Sequence, residues 1–137
     1  MKYKFYTLIA LLVFLLALSG CVTGPQNTDT GDNNTAQYHK ITQEEAKTIM
    51  DSGDSYILLD VRTQDEYNAE HIVGATLIPV DEIKSRANDE LPDKSALIMV
   101  YCRTGVRSKN ASDILVELGY TNIQDIGGII TWPYETE

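Results

Sequence analysis

The segment Cys102-Arg103-Thr104-Gly105-Val106-Arg107-Ser108 sets one thiol among two guanidinium groups, with a glycine between them. That combination suits nucleophilic chemistry. Both arginines favour the thiolate, which is the attacking form of cysteine. A loop that turns sharply into a helix also aims backbone N–H groups, and the partial positive charge of the helix N-terminus, at one point. Free cysteines are often plain core residues, but a core cysteine gains nothing from two neighbouring arginines and a glycine, so the reactive reading is preferred.

The surrounding pattern supplies the elements that must hold this loop. Leu97-Ile98-Met99-Val100-Tyr101 is an unbroken apolar run, read as a buried parallel strand that delivers Cys102 to its carboxyl end. Open α/β sheets place their sites at that edge. Behind the loop, Val106, Ile114, Leu115 and Leu118 recur at helical spacing, and Gly119 supplies the residue that commonly ends a helix, so a helix is expected from Ser108 to Leu118.

Upstream, Thr42 with Glu45 forms a capping-box pattern opening a helix to Asp51 or Ser52, with Ala46, Ile49 and Met50 on its buried side. Tyr56 to Leu59 reads as a strand. Thr63 caps a short helix through Asn68, with Asp65 and Glu66 in its first turn. Ala75 to Ile78 is a strand ended by Pro79, a helix follows around Asp81 to Asn88, and Asn122 to Ile126 is the last strand. Alternating short strands and helices predict an α/β fold with a parallel central sheet and helices on both faces. Residues 38–137 have the length of one modest domain.

The first twenty residues read differently. Lys2 and Lys4 precede an apolar run from Leu8 to Leu18, shorter than the ~20 residues of a spanning helix and suited to the core of a signal peptide. Leu18-Ser19-Gly20-Cys21 resembles the bacterial lipoprotein box, which implies cleavage after residue 20, lipid on Cys21, and a domain held at the cell membrane on its non-cytoplasmic side. Val22 to Gln37 is polar with almost nothing to bury, a flexible tether. With Cys21 lipidated, Cys102 is the only thiol left and no internal disulfide can form.

Twenty acidic residues against eleven basic ones oppose nucleic-acid binding. Two distant histidines and one free cysteine make no zinc set, and no glycine-rich phosphate fingerprint is present, so neither metal nor cofactor is expected. Asp60, at the end of its strand, is read as capping backbone N–H groups, with Arg62 and Glu66 as a supporting i,i+4 pair. His71 is read as a hydrogen-bonded structural residue.

Four segments in order resemble the rhodanese-like sulfurtransferases: Leu59-Asp60-Val61-Arg62 with Glu66-Tyr67, His71-Ile72-Val73-Gly74-Ala75, the Cys102 to Ser108 loop, and Gly127-Gly128 with Trp132. The resemblance implies a single rhodanese-like domain, an α/β fold with a parallel central sheet of about five strands, in which Cys102 takes sulfur from a small anionic donor as a persulfide. A thiol, cyanide or protein acceptor then removes it. Arg103, Thr104, Gly105, Val106, Arg107 and Ser108 would form the substrate-binding loop. The family's 3-mercaptopyruvate enzymes carry an uncharged loop; two arginines here suit a doubly charged donor such as thiosulfate. A carrier or redox-sensing module without turnover is one alternative, and a cysteine phosphatase or arsenate reductase another.

Overall fold

The computed structural model describes residues 37–137. Cys21, the signal-peptide reading and nearly all of the tether lie outside the described residues. Five strands, β1 (His39–Lys40), β2 (Ile57–Asp60), β3 (Thr76–Leu77), β4 (Ile98–Cys102) and β5 (Ile123–Gly128), form one sheet in the order β1-β5-β4-β2-β3, with every neighbouring pair parallel. Four helices make the crossovers: α1 (Gln43–Asp51), α2 (Gln64–Ala69), α3 (Ile83–Glu90) and α4 (Val106–Glu117). No helix among the described residues is long and apolar enough to cross a membrane.

All five residues of β4 are buried, because this central strand is covered on both faces. Its side chains alternate. Ile98, Val100 and Cys102 join Leu59, Ala87, Ala111 and Leu115 in the core beneath α3 and α4, whereas Met99 and Tyr101 join Leu58, Ala46 and Ile72 in the core beneath α1, against which Tyr67 of α2 also packs. The helices therefore lie on both faces, as expected for a parallel sheet.

The strand order creates the crevice in which a site can sit. The chain leaves β2 for α2 on one face and leaves β4 for α4 on the other, so the carboxyl ends of these neighbouring strands open a gap at a topological switch point. Cys102 stands on one lip of this gap and Asp60 on the other. Both α1 and α2 open with a complete capping box, Thr42 with Glu45 and Thr63 with Glu66.

The structure departs from the sequence reading by one or two residues at several element ends, and more consequentially around α4 and β1. Helix α4 starts at Val106 rather than Ser108, because Gly105 at φ +98° turns the chain directly into the first helical residue. Its buried face is Ser108, Ala111, Ser112 and Leu115, and Val106 is 75 % exposed rather than part of the core. Strand β1 was not anticipated, since two exposed polar residues at a sheet edge give no apolar signal.

Candidate active site

Cys102 ends β4 opposite Gly128 of β5, and its place in the strand alternation turns its side chain toward α4. The residue is fully buried, and the Gly105 N–H donates to Sγ at 3.1 Å. The N–H groups of Val106, Arg107 and Ser108 form the first turn of a twelve-residue helix, where intrahelical carbonyl partners are lacking. The Ser108 hydroxyl is spent on the loop itself, donating to the Gly105 carbonyl at 3.1 Å. Thr104 is exposed on the outer side of the turn.

The loop can close this tightly because β5 ends in glycines. A Cβ at residue 128 would come within 2.7 Å of the Thr104 Cα, so the loop backbone occupies the space of a missing side chain. Gly127 adopts φ +85° and donates its N–H to the Asp125 carboxylate at 3.0 Å, and β5 is irregular there, with the pairing register slipping between Val100 and Tyr101. Ile130 donates its N–H to the Arg103 carbonyl at 3.3 Å, tying the strand's exit to the loop.

The two loop arginines are not equivalent. Arg107 reaches across the crevice to α2, and its Nη1 and Nη2 donate to Glu66 Oε2 and Oε1 at 2.7 and 2.8 Å, a bidentate pair. Glu66 Oε2 also accepts the Thr63 N–H at 3.0 Å, so the capping box of α2 holds the carboxylate that holds the arginine. The Arg107 hydrogen bonds, helped by Thr63, depress the Glu66 carboxyl to about 2 against burial. Arg107 is in turn pushed above its ordinary range, first by Glu66 and secondarily by the charges of Cys102 and Asp60. Arg103 is exposed and is the one arginine among the described residues outside an ion pair.

This corrects the expected Arg62–Glu66 pair. Arg62 turns inward, donates to Asp60 Oδ2 at 2.6 Å and to the Glu70 carbonyl at 2.7 Å, and lies over the Tyr101 ring. Asp60 accepts the Arg62 N–H at 2.9 Å, the strand-end capping expected of it. The Glu66–Arg107 pair was invisible to local reading because its members stand 41 positions apart. The close fit of Gly128 and Ile130 to the loop was missed likewise, although Gly127-Gly128 stood out in the sequence. His71 donates its Nδ1–H to the Tyr67 carbonyl at 2.9 Å and stacks on the Tyr67 ring.

A groove of about 460 Å³ borders the loop, lined by Ile41, Thr42, Gln43, Thr104, Gly127 and Gly128 among others. A larger cleft of about 720 Å³, with Met50, Tyr56, Ile72, Trp132 and Tyr134 in its walls, includes no loop residue. The N–H groups around Sγ thus lie apart from this larger cleft. Among the described residues no three histidine, cysteine or carboxylate side chains gather as a metal site.

Comparison with known proteins agrees with this geometry. Residues 42–132 match the family model described as Rhodanese-like domain. The chain is 42 % identical over 71 residues to the thiosulfate sulfurtransferase PspE of Escherichia coli, covering 52 % of this chain and 68 % of PspE. It is 33 % identical over 96 residues to the thiosulfate sulfurtransferase GlpE of Coxiella burnetii, covering 69 % and 87 % of the two chains. A solved E. coli structure, a rhodanese with anions, superimposes with a TM-score of 0.57 at 36 % identity, covering 61 % of this chain and 98 % of that one. Sheet order, cysteine loop and sequence thus converge, and the chain belongs to the rhodanese-like domain family.

Proposed function

We propose that the protein is a sulfurtransferase that moves sulfane sulfur from an anionic donor of the thiosulfate type to a thiophilic acceptor, through a persulfide on Cys102. One observation carries the reading: Sγ sits at the switch-point edge of the sheet, receives the Gly105 N–H at 3.1 Å, and lies beneath the first turn of α4. Such donors stabilise a sulfur anion without having to move when it forms.

In the first half-reaction the Cys102 thiolate attacks the outer sulfur of thiosulfate, the S–S bond to the sulfonate breaks, and sulfite leaves with the bonding pair. The product is Cys102–S–S⁻, whose charge the loop N–H groups and Arg107 face. In the second, cyanide or a thiolate attacks the outer sulfur and the Cys102 thiolate is regenerated as leaving group. Neither step requires a proton from the protein, which agrees with a site whose histidine is engaged in stacking on Tyr67. PspE and GlpE, both named thiosulfate sulfurtransferases, support the same activity.

Phosphate chemistry is disfavoured by size. Four residues separate Cys102 from Arg107, one fewer than in the cysteine phosphatases, and each residue brings up to ~3.3 to 3.6 Å of chain and one N–H donor. The shorter loop fits a sulfur atom rather than a tetrahedral oxyanion. The polar tether and the lipoprotein box place the domain, in this proposal, on a lipid attached to Cys21.

Mass spectrometry before and after thiosulfate tests the function. The protein should gain one sulfur atom, cyanide should remove it, and Cys102→Ser should gain none. Turnover of an aryl phosphate that depends on Cys102 and matches sulfur transfer would falsify the reading. Metabolic fatty-acid labelling should mark the parent and not Cys21→Ala; equal labelling of both would remove the anchor.

A further inference from the structure

The two loop arginines would, if both were free, present a double positive charge to an incoming donor. The geometry points instead to Glu66 as a specificity-determining residue: by pairing with Arg107 across the crevice it withdraws that charge, leaves Arg103 as the free guanidinium, and so sets how strongly the site prefers a dianionic over a monoanionic donor. This inference rests on the sulfurtransferase reading and concerns its donor.

The charge inventory around the loop supports it. Glu66 holds both Nη atoms of Arg107 at 2.7 and 2.8 Å, and the pair is only partly exposed. Asp60 and Arg62 form a second, buried pair that carries no net charge. On the groove beside Thr104, Lys40 and Glu45 both line the wall, one charge of each sign. Arg103 is left, exposed on the turn. The Glu66 carboxyl, held near 2 by Arg107, is ionised at neutral pH, so the compensation is in place there. The Glu66 carboxylate is held by Thr63 and Arg107, whereas Sγ receives the Gly105 N–H, so Glu66 acts through Arg107 and is a positioning residue.

Two donors separate charge from geometry. With thiosulfate the thiolate takes the outer sulfur and expels sulfite, a dianion replacing a dianion. With methanethiosulfonate it takes the outer sulfur and expels methanesulfinate, a monoanion replacing a monoanion. Both give the same Cys102 persulfide. Any general damage to the loop slows both reactions, whereas a change of one unit in local charge alters their ratio. A unit charge a few ångströms away in a half-exposed site changes that ratio by about three- to tenfold.

The experiment compares kcat/KM for the two donors in the native protein, Glu66→Gln, Arg107→Gln and the double variant, each checked for folding by thermal melting. Glu66→Gln should raise the thiosulfate-to-methanethiosulfonate ratio about three- to tenfold and steepen its fall with added salt. Arg107→Gln should lower the ratio by a similar factor, because Glu66 is then uncompensated. The double variant should return it to the native value. A ratio that Glu66→Gln leaves unchanged, or one that falls equally in Arg107→Gln and the double variant, overturns the inference, since Arg107 would then be acting on the donor directly. Should Glu66→Gln melt too low to assay, Arg107→Gln against the double variant still decides between these outcomes. If the native protein loads sulfur from neither donor, the sulfurtransferase reading fails and takes this inference with it; loading from both with a flat ratio overturns the inference alone.

Discussion

Two carboxylate–arginine pairs flank the crevice between β2 and β4, and they are built in opposite ways. Asp60–Arg62 is local, two residues apart, and buried, with Asp60 also capping the Arg62 N–H and Arg62 reaching the Glu70 carbonyl. Glu66–Arg107 is 41 residues apart, joins α2 to α4, and keeps about 30 % of each side chain in solvent, 28 % and 32 %. The first has desolvated two charges and must keep both. The second bridges the two elements that diverge at the switch point, one of which is the helix that follows the Cys102 loop. Equal chemistry, placed at different depth, serves the fold in one case and the site in the other.

The sharpest way to break this comparison is to remove one partner from each pair. Asp60→Asn leaves Arg62 buried without its counter-charge and should cost about 3 to 5 kcal/mol in denaturant unfolding. A loss under 1 kcal/mol would show that the inner pair is no more structural than the outer one.

The outer pair should declare itself through pH. The folded Glu66 carboxyl lies at about 2, below its ordinary value of 4.5, so its contribution to stability is complete above about 4.5 and fades as pH falls toward 2. Relative to Glu66→Gln, the native protein should therefore lose its thermal-stability advantage between pH 4.5 and 2 and keep it unchanged from pH 5 to 7. An advantage that persists at pH 2 would contradict the assignment.

Smaller again is the cap. Thr63→Ala removes the hydroxyl end of the α2 capping box and should cost about 1 kcal/mol, with little change in donor ratio because Arg107 still grips Glu66. Val106→Ser, at a position 75 % exposed, should change stability by less than about 0.5 kcal/mol. A larger loss in a melting experiment would put Val106 back in the core.

These contrasts also explain what could be read from the chain. β4 and the Cys102 loop were legible because burial on both faces forces a continuous apolar run and the turn into α4 demands Gly105. The capping boxes were legible because they are local in sequence. The inner face of α4 was misread because Ser108, Ala111 and Ser112 are small rather than apolar, and close helix–sheet approach selects for size where a hydrophobic pattern looks for grease. Glu66 was assigned to Arg62 because i,i+4 spacing is visible and a contact across the sheet's edge is not. In the event depth decided the partners: Arg62 found the nearer, buried carboxylate, and Glu66 was free for Arg107.

The absent side chain at Gly128 has a practical use. The Arg103–Thr104 backbone fills the volume that a methyl group would need, so Gly128→Ala would wedge the turn off the end of β5 while deleting no thiol, no guanidinium and no carboxylate. Such a protein keeps every reactive group and loses only their arrangement. It is the control that tells inventory from architecture: whatever its thiol still does by simple collision is the chemistry of a cysteine, and the remainder is the contribution of the cradle.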